Sequence, residues 1–468
     1  MASHDSPLHG HHPKTILIDP LNSILEAREN RALLKSMIAA NGLCSISLTL
    51  NIPGYPKSNP LINNFFRNCL QDFNYFLKAN LIVIPEQDAL RGCDAAGDYY
   101  FVPCNPGNLS LSIIKQYCED FEKNHPLGRF IDADLNDWEG NTISSGKLKI
   151  CFFCLERPAI DCRRENAHEP EELRAFMFPK MEAYNRKQGE DEIVRLLATY
   201  ASKAILTEIA LTPKPGLVDK FGNGSHRDMD FQMFLDSTSA ILPWFERLVV
   251  KGFEFDEGDL TLALPVIRSI GLRMETAMND VTGNINTQKG IVFLMSLSLF
   301  AAGQCFSRNG KFDSEDFREI IRCICKDIVK KELVDSATTL KSNGSKVHLQ
   351  YGFGGARAEA ESGFTTVFNF GLPQLTGIEA INDEVLIKCF LAIASRNGDT
   401  NILHRSGPEI LAKFQDLCNT TLLDFNDKNY YAVIDYCKTC NISPGGSADL
   451  LAITIFVWSV INTNWENK

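Results

Sequence analysis

Apolar and polar positions follow different patterns in the two halves of the chain. Up to Met177, short alternating runs that are typical of strands are mixed with stretches of helical spacing. From Glu192 onwards, apolar residues recur every three to four positions over long stretches, which predicts helices. The polar segment 178–191 separates the two patterns and is a candidate linker. The sequence therefore predicts a multidomain protein, with an N-terminal α+β or α/β domain over 15–177 and an all-α domain over 192–468.

The individual elements follow from the same patterns. The β-branched segment 45–52 predicts a strand, and segments 81–85 and 99–103 have a similar pattern. Helical spacing predicts helices over 25–37 and 110–123. In the C-terminal part the predicted helices cover 193–210, 230–250, 260–278, 290–306, 314–333, 382–396, 408–422 and 446–461.

Composition and charge exclude several classes of function. The net charge of -11 argues against bulk nucleic-acid binding, which needs basic surfaces, but it allows a local basic pocket for a nucleotide. Residues 1–14 are polar, contain four histidines and lack an apolar stretch, so they predict a disordered tail, with chance metal binding as an alternative. The apolar run 291–302 is shorter than the ~20 residues of a membrane span. We therefore expect a buried helix, no membrane insertion and a cytoplasmic protein.

The fifteen cysteines do not predict disulfides, because the chain is large and shows no secretory signal. Cys305, Cys323 and Cys389 lie in apolar segments and are expected in the core. A second group has the spacing C-x₂-C-x₇-C-x₅-H and consists of Cys151, Cys154, Cys162 and His168. Three thiols and an imidazole can close a tetrahedral site for structural Zn²⁺. Thiols at a turn without metal, or a redox pair, remain alternatives.

Two acidic side chains mark the N-terminal part. In the segment HPLGRFIDADL, Asp132 and Asp134 alternate along an expected strand, so both carboxylates lie on one face. Carboxylates placed in this way can share a divalent metal ion and support phosphoryl transfer. The alternative is a charged strand edge without chemistry.

Polar, glycine-containing loops lie between the predicted C-terminal helices. Lys214 lies between Pro213 and Pro215. Lys289 lies next to the start of a helix that Thr287 is expected to cap, so that backbone amides and this lysine form an anion site. Further charged side chains in these loops are Arg357, Glu359, Glu361, Asp399 and Asp449. Taken singly, each loop is compatible with a turn or a solvated helix start. Together, anion sites and carboxylates suggest a metal-bound phosphate ligand such as ATP.

Five strings in the C-terminal part carry a resemblance to a known family. They are LTPKPGLVDKFGNGSHRDMDF, TGNINTQKG, YGFGGARAEAESGF, DTNILHR and PGGSADLLA. In this order they resemble the triphosphoribosyl-dephospho-CoA synthases of the citrate lyase and malonate decarboxylase systems, although Gln288 stands where we expect His. The resemblance implies ATP and dephospho-CoA as substrates, release of adenine, and Mg²⁺.

The resemblance also suggests roles for the charged residues of these loops. Lys214, Lys289 and Arg357 would hold phosphates. Glu359, Glu361 and Asp399 would supply metal ligation or the catalytic base, and Asp449 is a further carboxylate candidate.

The N-terminal part carries a second resemblance. EARENRALL with Arg28, TLNIPGYPK with Lys57, the segment HPLGRFIDADL and the Cys/His run resemble the apo-citrate lyase phosphoribosyl-dephospho-CoA transferases. The resemblance implies transfer of the first product to a serine of the acyl carrier (gamma) subunit of apo-citrate lyase, with release of pyrophosphate. Asp132 and Asp134 would then bind Mg²⁺, and Lys57, Arg28 and Arg129 would neutralise phosphates.

Three alternatives remain at this stage. The same synthase chemistry could serve malonate decarboxylase, although the citrate-type N-terminal resemblance argues against it. The helical part could be a ribosyl hydrolase, with water in place of dephospho-CoA. The chain could also be a non-enzymatic zinc-knuckle scaffold, although a scaffold has no use for carboxylate-rich glycine loops.

Overall fold

A computed structural model describes residues 20–144, 146, 148–334 and 343–465 of the chain. The chain forms two compact units, Met1–Glu190 and Asp191–Lys468. Their boundary falls inside a 41-residue helix, so the candidate linker 178–191 is helical. The predicted tail over 1–14 lies outside the described residues.

The N-terminal unit contains a four-stranded sheet with the order β2-β3-β1-β4. Its strands are β1 (Cys44–Leu50), β2 (Leu90–Asp94), β3 (Gly97–Cys104) and β4 (Ile131–Asn136). The helices are α1 (Pro20–Ala40), α2 (Pro60–Ala79), α3 (Leu111–Asn124), α4 (Ala159–Arg164) and α5 (Pro170–Ala210), which continues into the second unit. All strand pairs are antiparallel, so the unit is α+β, and the α/β alternative, which needs parallel strands, does not hold.

One face of the sheet packs on helices α2 and α3. Ile46 and Leu48 of β1 point into the same core as Phe65 and Phe73 of α2, and all four side chains are fully buried. The other face of β4 carries Asp132 and Asp134, which are only half-buried. The alternation within β4 therefore separates its acidic face from its apolar face, as the sequence predicts.

The predicted strand over 81–85 is wrong. This segment follows the end of α2 and is irregular, and Leu81 adopts a positive φ of 59°. Leu81 and Val83 are 85% and 73% exposed, so their alternating pattern has no neighbouring strand to pack on. Strand β2 and helix α2 were not anticipated, whereas the strands expected at 45–52 and 99–103 are present as β1 and β3.

The described residues of the second unit form helices and no strand. The helices are α6 (Phe231–Ile241), α7 (Phe245–Glu254), α8 (Ala263–Thr282), α9 (Lys289–Asn309), α10 (Ser314–Ile324), α11 (Asn343–Tyr351), α12 (Gly355–Glu361), α13 (Asp383–Ala394), α14 (Thr400–Leu423), α15 (Asp427–Cys440) and α16 (Gly445–Ile461). Helix α9 is long and apolar enough for a membrane span, but 83% of its apolar window is buried inside the fold. It is the central core helix of this unit.

Some predicted helices differ in extent. The helix expected over 230–250 is interrupted around Pro243, which lacks the N–H needed to continue the hydrogen-bond ladder, so α6 and α7 are separate. The helix expected over 314–333 ends at Ile324, and α11, α12 and α15 were not anticipated. All fifteen cysteines are free. Cys323 is half-buried with its thiol 3.5 Å from Glu319, rather than in the core.

Candidate functional site

The polar loops of the helical unit converge on one cavity of about 390 Å³. It lies where the loop before α6 meets the N-terminal ends of α9, α12, α14 and α16. Each of the five sequence motifs contributes to its wall, together with helix α5. The charged and titratable side chains of the wall include Glu208, Lys214, His226, Asp228, Lys289, Glu359, Asp399, His404, Arg405 and Asp449. Motifs that lie far apart in the sequence therefore share one site.

Lys214 is held in the cavity wall by an ion pair. Its ammonium lies 2.8 Å from the Glu208 carboxylate and 3.1 Å from the backbone oxygen of the same residue. The amide of Lys214 also donates to Asp219 at 2.9 Å, which fixes the loop. An ammonium has three N–H donors, so the two contacts with Glu208 leave a third for a ligand. Glu208 was not predicted as a site residue, because in the sequence it is a single polar position on an otherwise apolar helix face.

Two aspartates lie at the starts of α14 and α16. Asp399 caps α14 and accepts hydrogen bonds from the amides of Asn401 and Ser447 at 3.0 and 2.9 Å. Burial raises the pKa of Asp399, and these hydrogen bonds oppose the shift. Asp449 has no hydrogen-bond partner within the described ranges. Burial, followed by the charges of Glu208 and Asp399, raises the pKa of Asp449 well above its ordinary value. The cavity therefore concentrates negative charge and favours a bound cation or proton.

The glycine-rich motif contributes one of its two predicted carboxylates to the cavity. Glu359 lines the cavity and accepts hydrogen bonds from the amide and hydroxyl of Thr366, while burial raises its pKa. Glu361 and Arg357 do not line it, because helical residues two positions apart lie on opposite faces. Arg357 donates instead to Glu332 at 2.7 Å.

The cap expected at the start of α9 is wrong. Gln288, not Thr287, is the N-cap residue, and the Thr287 hydroxyl is buried without a hydrogen-bond partner among the described residues. Asn286 takes the capping role, since its side-chain oxygen accepts from the amide of Lys289 at 3.1 Å. Lys289 lines the cavity, and its ammonium lies 2.8 Å from the Glu275 carboxylate.

Gln288 occupies the position where the resemblance led us to expect His. Its buried amide is hydrogen-bonded to the hydroxyls of Ser237 and Thr238, at 3.1 and 3.0 Å. An amide does not titrate, so this position cannot exchange protons with a ligand.

A histidine in the same wall makes polar contacts at both ring nitrogens. His226 Nε2 lies 2.8 Å from the Ser443 hydroxyl, and Nδ1 lies 3.4 Å from Arg405 and 3.8 Å from Asp228. Burial lowers the pKa of His226, Arg405 lowers it further, and Asp228 opposes the shift. These residues belong to motifs that are visible in the sequence, but their shared role is not, because only the fold brings them together.

In the N-terminal unit, Asp132 and Asp134 lie on one face of β4 as predicted. Lys115 pairs with Asp134 at 2.6 Å, and Lys149 lies 3.5 Å from Asp132 and 2.6 Å from Glu122. Carboxylate oxygens are preferred ligands of Mg²⁺. The ammonium groups of Lys115 and Lys149 balance the negative charge of Asp134 and Asp132. These lysines were not among the predicted residues.

Two of the three predicted N-terminal cations lie together. The pKa of Lys57 is lowered by burial and by the neighbouring charges of Arg28, Arg174 and Arg163. Arg174 also donates to the backbone oxygen of Tyr55 at 2.6 Å and so holds the loop that carries Lys57. Such a cluster of positive charge is suited to a polyphosphate. The sequence missed Arg163 and Arg174, which come from helices α4 and α5.

The third predicted cation, Arg129, donates to the backbone oxygen of Ile150. Its guanidinium thus holds the segment that leads into the Cys/His run. A role in phosphate binding stays a prediction.

The Cys/His run forms a compact cluster. The ligand atoms of Cys151, Cys154, Cys162 and His168 all lie within 4.8 Å of one another. The Sγ atoms of Cys154 and Cys162 are 3.7 Å apart, close to the ~3.8 Å that a tetrahedral site with Zn–S bonds of ~2.3 Å requires. His168 Nε2 is buried without a hydrogen-bond partner in the described part of the chain. The cluster can therefore hold a metal ion.

One thiol of the cluster is prepared for ligation. The backbone amide of Glu156 lowers the pKa of Cys154 to about 6. Burial opposes this shift, and the neighbouring side chains of His168, Cys162 and Cys151 add to it. Metal ions are bound by the thiolate form.

Comparisons with known proteins match both units. The family described as ATP:dephospho-CoA triphosphoribosyl transferase matches residues 194–468, and the apo-citrate lyase phosphoribosyl-dephospho-CoA transferase family matches residues 20–184. Protein CitXG of Haemophilus influenzae is 31% identical over 463 residues, which cover 94% of this chain and 96% of that protein. Protein CitXG of Leuconostoc mesenteroides subsp. cremoris is 27% identical over 470 residues, which cover 95% and 97%.

A relative without the N-terminal unit matches the helical unit. The 2-(5''-triphosphoribosyl)-3'-dephosphocoenzyme-A synthase of Pectobacterium atrosepticum is 38% identical over 255 residues, which cover 54% of this chain and 84% of that protein. Both predicted resemblances are thus confirmed, and the chain is a transferase rather than a scaffold. It belongs to the CitXG family, in which an apo-citrate lyase phosphoribosyl-dephospho-CoA transferase precedes an ATP:dephospho-CoA triphosphoribosyl transferase.

Proposed function

We propose that this cytoplasmic enzyme makes the prosthetic group of citrate lyase and attaches it. Its synthase domain, 192–468, transfers the triphosphoribosyl group of ATP to dephospho-CoA and releases adenine. Its transferase domain, 15–177, moves the product to a serine of the acyl carrier (gamma) subunit of apo-citrate lyase and releases pyrophosphate, with 178–191 as the linker. The observation that carries the proposal is the convergence of all five C-terminal motifs on one charged cavity.

The chemistry of the first reaction fits the charges of this cavity. A ribose hydroxyl attacks the anomeric carbon of ATP, and the transition state resembles the oxocarbenium ion of glycosidases. Burial raises the pKa of Asp399, Glu359 and Asp449, and the positive charge of such a transition state would favour their ionised forms. Lys214 and Lys289 offer ammonium groups to the triphosphate, and bound Mg²⁺ would neutralise its remaining charge.

The second reaction is proposed for the N-terminal unit. A serine hydroxyl attacks the α-phosphorus, and pyrophosphate leaves. Lys57 and Arg28, with Arg163 and Arg174 beside them, would hold the leaving phosphates. Asp132 and Asp134 are suited to hold Mg²⁺ through their carboxylate oxygens.

We assign the Cys/His cluster to structural Zn²⁺. The distance between the two sulfur atoms, the unpartnered His168 nitrogen and the low pKa of Cys154 support this assignment. Four protein ligands leave no open position, which is typical of a structural rather than a catalytic site.

Adenine release tests the first reaction. The full chain with ATP, Mg²⁺ and dephospho-CoA should release adenine, with an equal amount of dephospho-CoA gaining the mass of a triphosphoribosyl group. Asp449→Asn should lower the rate, whereas Asp416→Asn, on the exposed face of α14, should not. Adenine release that is independent of dephospho-CoA would support the hydrolase alternative, and intact ATP would refute the proposal.

A further inference from the structure

His226 is placed to exchange a proton with a ligand in the cavity of the helical unit. Arginine is only a hydrogen-bond donor, so its contact with Arg405 makes Nδ1 an acceptor. The neutral ring then carries its proton on Nε2 and donates it to the Ser443 hydroxyl at 2.8 Å. Ser443 comes from the loop before α16 and Arg405 from α14, so two other segments fix the orientation of the ring.

The charges around His226 favour a neutral imidazole at rest. Burial and the Arg405 guanidinium lower its pKa, while Asp228 is the opposing negative charge. Arg405 is exposed at the cavity mouth, where a phosphate would compete for its guanidinium. Once Arg405 turns to a phosphate, Nδ1 is released and Asp228, 3.8 Å away, can stabilise the protonated ring.

We propose that His226 transfers the proton in the ribosyl transfer reaction, with Arg405 as a contact for substrate phosphate. This inference rests on the proposed function of the helical unit. The O–H bond of the attacking ribose hydroxyl breaks and its proton moves to Nδ1 of His226. The new C–O bond forms at the anomeric carbon while the C–N bond to adenine breaks. The imidazolium then gives its proton to the departing adenine, so the ring returns to its neutral state.

The test is the pH dependence of adenine release by the full chain. In the wild type, kcat should fall as the pH drops below the ordinary histidine range, because a protonated His226 cannot accept the hydroxyl proton. His226→Gln should lower kcat roughly 100-fold, with KM for ATP little changed, and should abolish the acidic limb of the profile. Added imidazole should restore part of the rate.

Two further variants test whether the effect is specific to His226. Ser443→Ala removes the acceptor for Nε2–H, so it should lower kcat roughly tenfold and move the acidic limb to lower pH, since the imidazolium loses a hydrogen bond. The control His348→Gln removes an imidazole of α11 that does not line the cavity and should keep the wild-type profile. A thermal shift with ATP shows that each variant folds and binds nucleotide.

The outcomes separate this inference from the proposed function. A His226→Gln variant with kcat near the wild-type value, or with its acidic limb intact, would overturn the role of His226 alone. If that variant does not fold, an unchanged profile in Ser443→Ala overturns it equally. No adenine from the wild-type chain would overturn the proposed function and this inference together.

Discussion

Lys214→Met should destabilise the helical unit strongly. The variant leaves the Glu208 carboxylate without its cation, although the two side chains are only 5% and 10% exposed. Removing one partner of a buried ion pair costs ~3–5 kcal/mol, because the remaining charge stays desolvated. For a domain of this size, a loss of ~3 kcal/mol lowers Tm by roughly 6–12 °C.

Tryptophan fluorescence can follow this unfolding. The helical unit contains Trp244, Trp458 and Trp465, whereas the N-terminal unit contains Trp138. Tryptophan fluorescence therefore reports mainly the unfolding of the helical unit, which contains the Lys214–Glu208 ion pair. The double variant Lys214→Met with Glu208→Gln removes both charges and should recover much of the lost stability. The reasoning would be refuted if Lys214→Met changed the free energy of unfolding by less than about 1 kcal/mol, or if the double variant were less stable than Lys214→Met alone.

Three further predictions concern the other charged groups. Because folding raises the pKa of Asp449, the folded unit should gain stability as the pH falls. Asp449→Asn should stabilise this unit at pH 8 by about 1–3 kcal/mol, as measured by thermal unfolding. This gain should shrink at lower pH, where Asp449 of the wild type is itself protonated. Cys154→Ser should reduce the zinc content from about one ion per chain to near zero in elemental analysis, while a metal-free wild type would contradict the assignment. When triphosphoribosyl-dephospho-CoA is supplied, Arg163→Gln should slow modification of the carrier roughly tenfold without affecting adenine release. The control Arg164→Gln, one position along α4, should leave both rates unchanged.

Local sequence patterns predict helices and strands correctly where a neighbouring element packs against them. The prediction is wrong where a strand-like segment has no neighbouring strand. Strand β4 was anticipated because alternation places Asp132 and Asp134 on one face, and the structure has this arrangement. Segment 81–85 has a similar local pattern but no neighbouring strand, so it remains irregular. Local spacing alone cannot distinguish these two cases, since strand formation depends on distant pairing.

The candidate site was predictable as a set of motifs but not as a set of contacts. Glycine- and charge-rich loops identified Lys214, Glu359 and Asp399, which all line the cavity. Glu208 was missed because an isolated carboxylate on a helix gives no signal until its partner is known. Arg357 was included because its motif is polar, yet its side chain pairs with Glu332 outside the cavity wall.

The most direct test of the account is conversion of the apo acyl carrier subunit in a single reaction. The full chain is incubated with ATP, Mg²⁺, dephospho-CoA and the apo carrier, and the carrier is weighed by intact-protein mass spectrometry. The account predicts a mass gain of one phosphoribosyl-dephospho-CoA group on a serine, with adenine and pyrophosphate released in equal amounts and no gain when either small substrate is omitted. A carrier of unchanged mass in the presence of adenine release would contradict the claim that one chain both makes and attaches the group.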